Sequence, residues 1–280
     1  MKIRIIKDIL FWAFIFILPL AWLIPVFHMI STILIKGFNV LREAGLSFIF
    51  DTPGSPLSGD IGGIGPAIVG SLLTVSLASL ITIPLALSVG ILISEYPNSI
   101  ISRIVYKVST LLMQVPTIIV SMVVYATVVI KLGTFSALAA SLALSMVMLP
   151  YMACSVADVL RSIPLRYREA GLALGLSKFK TIMGIVMDIG RRGIIASIIL
   201  GLARIIGETA PLLFTAGGLR RTYPKSILSP VDSIPLLIYY YAQAPYEFFQ
   251  KLAWGAAFIL LLVVFTLFTI PKILVKEVRL

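Results

Sequence analysis

Apolar residues gather in six long stretches, separated by segments where glycine, proline and charge collect. The stretches are roughly Ile9–Ile35, Ala67–Ile93, Ile104–Ile130, Thr134–Val159, Gly193–Ala216 and Leu252–Pro271. A helix needs about 20 mostly apolar residues to cross a bilayer; a barrel strand needs about half as many, with alternating polarity. The stretches are long and do not alternate, so the pattern predicts an all-α, polytopic membrane protein with about six transmembrane helices. One membrane domain over 1–280 is expected, with an N-terminal helix 9–35, a helical core of about 67–271 and an inner loop of about 160–192. The first stretch follows Lys2, Arg4 and Lys7, as a signal peptide would. It is too long for one and no A-x-A-like cleavage site follows, so a membrane helix is expected there.

Composition agrees: 59% of the 280 residues are hydrophobic and 12% charged, and the mean hydropathy is +1.07. A soluble domain carries about 25% charge. The net charge of +11 would point to nucleic acid in a soluble protein. Here its distribution assigns it to orientation, and no nucleic-acid partner is expected. With the N-terminus in the cytoplasm, the inner segments hold 15 of the 23 Lys and Arg and the outer segments seven. The positive-inside rule then puts both termini in the cytoplasm. One cysteine, Cys154, and one histidine permit neither an intrachain disulfide nor a metal set.

Prolines interrupt several stretches: Pro19, Pro25, Pro84, Pro116, Pro150 and Pro211. Each removes a backbone donor and kinks its helix. Residues 36–66 hold seven glycines with Pro53 and Pro56 and read as an irregular outer loop. Residues 217–251 hold four prolines and the aromatics Tyr239, Tyr240, Tyr241, Tyr246, Phe248 and Phe249, a composition that suits a headgroup-level segment.

Chemistry can live in two places. The longest inner loop, Leu160–Arg192, carries seven of the inner cations. Within it Arg166–Leu174 is built of helix formers and ends at Gly175, which predicts a short helix closed by a tight turn. Two readings fit: a docking knob for a partner, or a basic loop drawn to anionic headgroups. The second place is the pair Arg204 and Glu208 in the fifth stretch, four residues apart and hence on one helix face. A central arginine costs about 2.5–3.5 kcal/mol on insertion scales, so such a face turns to the bundle interior or a polar cavity. The pair is either an ion pair joining helices or an anion site. In the second case the planar guanidinium grips phosphate or carboxylate, and Glu208 neutralises it when the site is empty. Beyond the stretch, Arg220 and Arg221 have three open roles: drawing anions to the mouth, docking a partner, or solvation. No P-loop, G-x-S-x-G or metal motif occurs, so neither an enzyme nor a nucleotide site is expected in this chain. Uphill transport would draw on an ion gradient or on another subunit.

The segment Glu169-Ala170-Gly171-x-x-x-Gly175, with Ile185 ten positions on, resembles the E-A-A-x-x-x-G loop of ABC-importer permeases. It departs in having Gly171 for the third-position Ala, and Met187-Asp188 for the usual Leu-Pro. The run Arg204 to Gly217 (RIIGETAPLLFTAG) is similar to the A-type permease family of phosphate-specific importers. Gly62-Gly63-Ile64, Ala67–Leu72, Ser94-Glu95-Tyr96 and Ile234-Pro235-Leu236 match as well, so the likeness spans roughly 60–275. The resemblance implies a type I importer architecture in the cell membrane. It implies a heterodimer with a sister permease, two ATP-binding subunits that hold ATP and Mg (no cofactor in this chain), and an extracytoplasmic phosphate-binding protein. It also implies that Arg168, Glu169, Ala170, Gly171 and Gly175 form the ATPase-docking loop, and that Arg204, Glu208 and Thr209 line the substrate pathway. Three other readings remain: a permease for another oxyanion (sulfate, molybdate, tungstate, phosphonate), an ion-coupled anion carrier, or a non-transporting membrane scaffold.

Overall fold

The apolar stretches fold as helices, and the described residues contain no strand beyond two isolated bridges, Pro53 to Gly62 and Gly217 to Val231. The structure is a computed structural model that describes residues 2–55 and 61–274. Its first half holds α1 (Lys2–Ala44), α2 (Ser47–Phe50), α3 (Gly65–Glu95), α4 (Ile100–Leu112), α5 (Thr117–Val124), a π turn over Tyr125–Val129 and α6 (Ile130–Leu132). The second half holds α7 (Ala137–Ser162), α8 (Leu165–Ala173), α9 (Lys178–Thr181), a second π turn over Ile182–Val186, α10 (Met187–Ile206), α11 (Ala210–Leu213), α12 (Ile234–Ala242) and α13 (Glu247–Leu274). Pro56 and Gly59 of the expected outer loop, and Lys276 and Arg279 of the inner cations, lie outside the described residues.

Among the described residues four helices are long and apolar enough to cross a membrane: Phe11–Ala44, Gly65–Glu95, Ala137–Ser162 and Glu247–Thr269. The expected third and fifth spans differ from the six-helix expectation. Ile100–Leu112 and Thr117–Leu132 pass the same test only as a pair bent by 104°. Pro116 stands at the elbow, where its ring disfavours a helical Val115 and it has no N–H to donate. The expected fifth span, Gly193–Ala216, is not one helix. Helical structure starts earlier, at Lys178, and stops at Ile206. Gly207 closes it, and Pro211 then sits in the first turn of α11. Asp188, Arg191, Arg192 and Arg204 make α10 too charged to count with the apolar four. By contrast Pro19, Pro25, Pro84 and Pro150 stay inside unbroken helices.

The start of the expected 36–66 loop is also helical. α1 continues through Gly37, whose missing side chain lets it lie against Trp254 and Phe258 of α13, and ends at Gly45 with φ +66°. The segment 217–251 is more than a headgroup strip, because α12 buries Ile234, Pro235, Leu236 and Leu237 and leaves Tyr239 and Tyr240 exposed.

α7 is the central post. Its inward positions are small: Ala137, Ala140, Ser141, Ala143, Ser145, Ala153 and Ala157 are all buried. Small residues let backbones approach closely, the usual basis of helix association in lipid. At Gly90 of α3 an added Cβ would lie 2.6 Å from Val156. α10 runs antiparallel along α7: Gly190 faces Leu160 and Ile163, Gly193 faces Val159, and Gly201 faces Met148 and Met152. α10 therefore ends halfway along α7, and the chain climbs the remaining half through 207–216. Thr215 there accepts a bond from the Ser136 backbone at the far end of α7.

Candidate functional site

The charged residues gather at three levels along α7, beginning where α3, α7 and α8 meet. α8 covers 165–173 and Gly175 follows at φ +77°, in agreement with the expected helix and glycine stop. Its two faces differ. Glu169, Ala170, Leu172 and Leu174 are exposed together with Leu165 and Phe179, an apolar patch edged by charge. Gly171 is buried against α9, where an added Cβ would lie 2.7 Å from Thr181 Cγ2 and 2.9 Å from Ile185 Cδ1. A glycine rather than the family's alanine thus lets α8 lie flush on the helix behind it.

Arg168 is not on the outward face with the rest of the expected docking set. It turns inward and donates from Nη2 and Nε to Glu95 Oε1 (2.6 Å) and Oε2 (2.9 Å). It also donates to the carbonyls of Leu160 and Ile163, each at 2.8 Å. The Glu95 side chain is 3% exposed. The hydrogen bond to Glu95 pushes the Arg168 pKa above its ordinary value, burial opposing. Lys178 adds a bond to the Glu95 carbonyl and stacks on Tyr96 at 3.8 Å. A cavity of about 600 Å³ opens beside this junction, lined by Arg161, Leu165 and Thr181 among others. Glu95 was visible in the sequence only as part of a family match; as the lone acid closing an apolar helix it asks for an arginine partner.

At the middle level lie Arg204 and Glu208. Arg204 occupies the last turn of α10, where a cation also suits the helix dipole. Its Nη2 is 3.5 Å from Glu208 Oε1, so the expected pair forms, although Glu208 stands in the break after the helix. Thr209 follows half-buried, ahead of α11. The guanidinium carbon lies 3.8 Å from the ring centroid of Tyr151 on α7. Tyr151, Arg204 and the elbow residues Leu112, Met113, Val115 and Thr117 line one cavity of about 220 Å³. Tyr151 was missed in the sequence, where nothing marks it apart from a polar tip beside Pro150.

At the far end Arg220 pairs with buried Asp232 across 3.8 Å and stacks on Tyr240 at 4.1 Å. Burial, partly offset by Arg220, pushes the Asp232 carboxyl up to about 6. Arg220 therefore has a partner within the chain, whereas Arg221 is exposed.

The fold is that of a transporter membrane component. It superposes with TM-score 0.62 on a chain solved in inward-facing conformations of the MetNI methionine ABC transporter, covering 75% of this chain and 95% of that one at 18% identity. The chain belongs to the family described as binding-protein-dependent transport system inner membrane component, whose model matches residues 82–280. Among curated relatives, the probable phosphate transport system permease protein PstA of Methanocaldococcus jannaschii is 40% identical over 98% of this chain and 96% of its own length. The PstA of Xylella fastidiosa is 36% identical over 71% of this chain and 70% of its own.

Proposed function

We propose that the chain is the membrane-spanning permease subunit of an ATP-driven importer of inorganic phosphate, forming half of the pathway beside a sister permease. The observation that carries the reading is the 40% identity, along nearly the whole chain, to a protein named as a phosphate permease. The site chemistry supports it. Arg204 has donors to spare in a cavity at mid-height of the bundle, where stripping water from an anion costs an idealised figure of order 20 kcal/mol unless fixed donors replace it. Its fork matches two phosphate oxygens, Glu208 pairs with it in the absence of an anion, and Thr209 follows Glu208 in the break after α10. The exposed patch of α8, with Glu169 and Ala170 at its edge, is the docking surface for an ATP-binding subunit, which holds ATP and Mg. That end faces the cytoplasm with both termini, and an extracytoplasmic binding protein delivers phosphate to the other.

ATP-driven uptake of labelled phosphate by the reconstituted four-subunit complex tests this. Uptake that survives an uncoupler, resists sulfate competition and is lost in Arg204→Gln with assembly intact is the expected result. Sulfate inhibition would change the anion, uncoupler sensitivity would change the class, and full uptake by Arg204→Gln would reduce the pair to a helix contact.

A further inference from the structure

A guanidinium has two recognition surfaces. Its flat face stacks on aromatic rings, and its edge carries the N–H donors that grip an oxyanion in bidentate fashion. At Arg204 the two are used by different partners. The guanidinium carbon lies over the Tyr151 ring at 3.8 Å from its centroid, while Nη2 on the edge reaches Glu208 only at 3.5 Å. The edge is free to exchange Glu208 for an anion without giving up the ring contact. Tyr151 is itself fixed by its other end. Its hydroxyl donates to the carbonyl of Met113 at 3.0 Å, and Met113 is the residue that closes α4 at the 104° elbow. Ring, guanidinium and elbow line the same cavity of about 220 Å³.

We propose that Tyr151 is the positioning residue of the anion site. Its ring sets the plane in which Arg204 meets the oxyanion, and its hydroxyl ties that plane to the α4–α5 elbow. Site affinity and elbow geometry are then linked through one side chain. The proposal rests on the reading of Arg204 as a pathway residue. It goes beyond that reading in naming a residue outside the motif and in splitting its two ends into two effects.

The test compares Tyr151→Phe, Tyr151→Leu, Tyr151→Trp and Arg204→Gln in the four-subunit complex, with assembly checked by gel filtration. Initial uptake rates give KM and maximal rate for phosphate, and the ATP hydrolysed per phosphate moved is read alongside. Removing the ring in Tyr151→Leu raises KM by about 3- to 30-fold, the worth of a cation–π contact in a partly dry site, and Tyr151→Trp restores it. Tyr151→Phe keeps the ring, so its KM stays within about twofold of wild type. It lacks the elbow bond, so maximal rate falls and more ATP is used per phosphate, by a few-fold, as expected for one hydrogen bond. Wild-type kinetics in Tyr151→Leu, with Arg204→Gln inactive, would overturn the proposal and leave the pathway reading intact. A KM rise in Tyr151→Phe as large as in Tyr151→Leu would overturn the division between ring and hydroxyl. Full uptake by Arg204→Gln would remove the pathway reading itself, and the proposal with it.

Discussion

Replacing Arg168 by Ala separates a structural role from a docking role. The side chain makes a two-point ion pair to Glu95 and closes two carbonyls at the end of α7. Its removal leaves a carboxylate that is 3% exposed without its counter-charge. Breaking a buried pair costs about 3–5 kcal/mol. Arg168 itself is 17% exposed, so water reaches the junction, and the Ser94 hydroxyl still donates to Glu95 at 3.1 Å. The lower end, about 3 kcal/mol, is therefore expected. In a chain of this length that amounts to a fall in Tm of several degrees. Thermal unfolding of the detergent-solubilised complex reads it, and a double-mutant cycle with Glu95→Gln isolates the pair, with a coupling energy of about 2 kcal/mol. Leu172→Ala on the exposed face is the counterpart: Tm unchanged, and phosphate-dependent ATP hydrolysis weakened. An Arg168→Ala complex with wild-type Tm and lost ATPase coupling would refute the argument and return Arg168 to the partner-facing surface.

Gly171→Ala inserts a methyl at 2.7 Å from Thr181 Cγ2 and 2.9 Å from Ile185 Cδ1. Overpacking of this kind costs about 1–3 kcal/mol, and faster amide exchange confined to α8 and α9 is the expected signature. Asp232 gives a pH dependence. Its carboxyl titrates at about 6 in the fold against 3.8 in the open chain, so between those values the folded state binds the extra proton. The contribution to stability is full below about pH 4 and is lost as pH rises through 6, by about 3 kcal/mol for a shift of about two units. Asp232→Asn should flatten the difference in Tm between pH 5 and pH 7.5, and an unchanged slope would put the titration elsewhere.

Much of this was legible in the sequence because it is local. Helix formers followed by glycine place α8 and its stop, and long apolar runs place α3, α7 and α13, Pro84 and Pro150 notwithstanding. What the sequence left open is how elements meet. Hydropathy cannot distinguish a span from an elbow, since Ile104–Ile130 is apolar on both sides of Pro116. It also cannot show that α10 ends halfway along α7, because Leu212, Leu213 and Phe214 keep the run apolar after the backbone has left the helix. Arg204 and Glu208 were found by spacing, and their pairing holds although the helix assumed between them does not. Tyr151, 53 positions from Arg204, comes to it only through the antiparallel packing of α7 and α10. Arg168 was assigned with its neighbours because a linear motif does not say which way a helix faces.

α8, the proposed docking helix, and Arg204, the proposed anion site, are joined by one continuous rod. From Lys178 to Ile206 the chain is helical without a break, crossing the π turn at 182–186, and at 1.5 Å per residue it runs about 40 Å. α8 is clamped to its near end through Gly171, Thr181 and Ile185, and Arg204 sits in its last turn. With Met187-Asp188 in place of Leu-Pro, this stretch holds no proline and each of its residues keeps a backbone donor. On the proposed docking role of α8, a push there reaches Arg204 along this rod, while the α4–α5 elbow lines the same cavity from separate helices. Spin labels test the division after Cys154, the single native cysteine, is replaced by Ala. The distance between labels at exposed Leu174 and Gly207 stays constant when ATP binds the complex, while that between Gly207 and Ile104 on α4 changes. A constant second distance with a changing first would make the π turn a hinge and would break the rod.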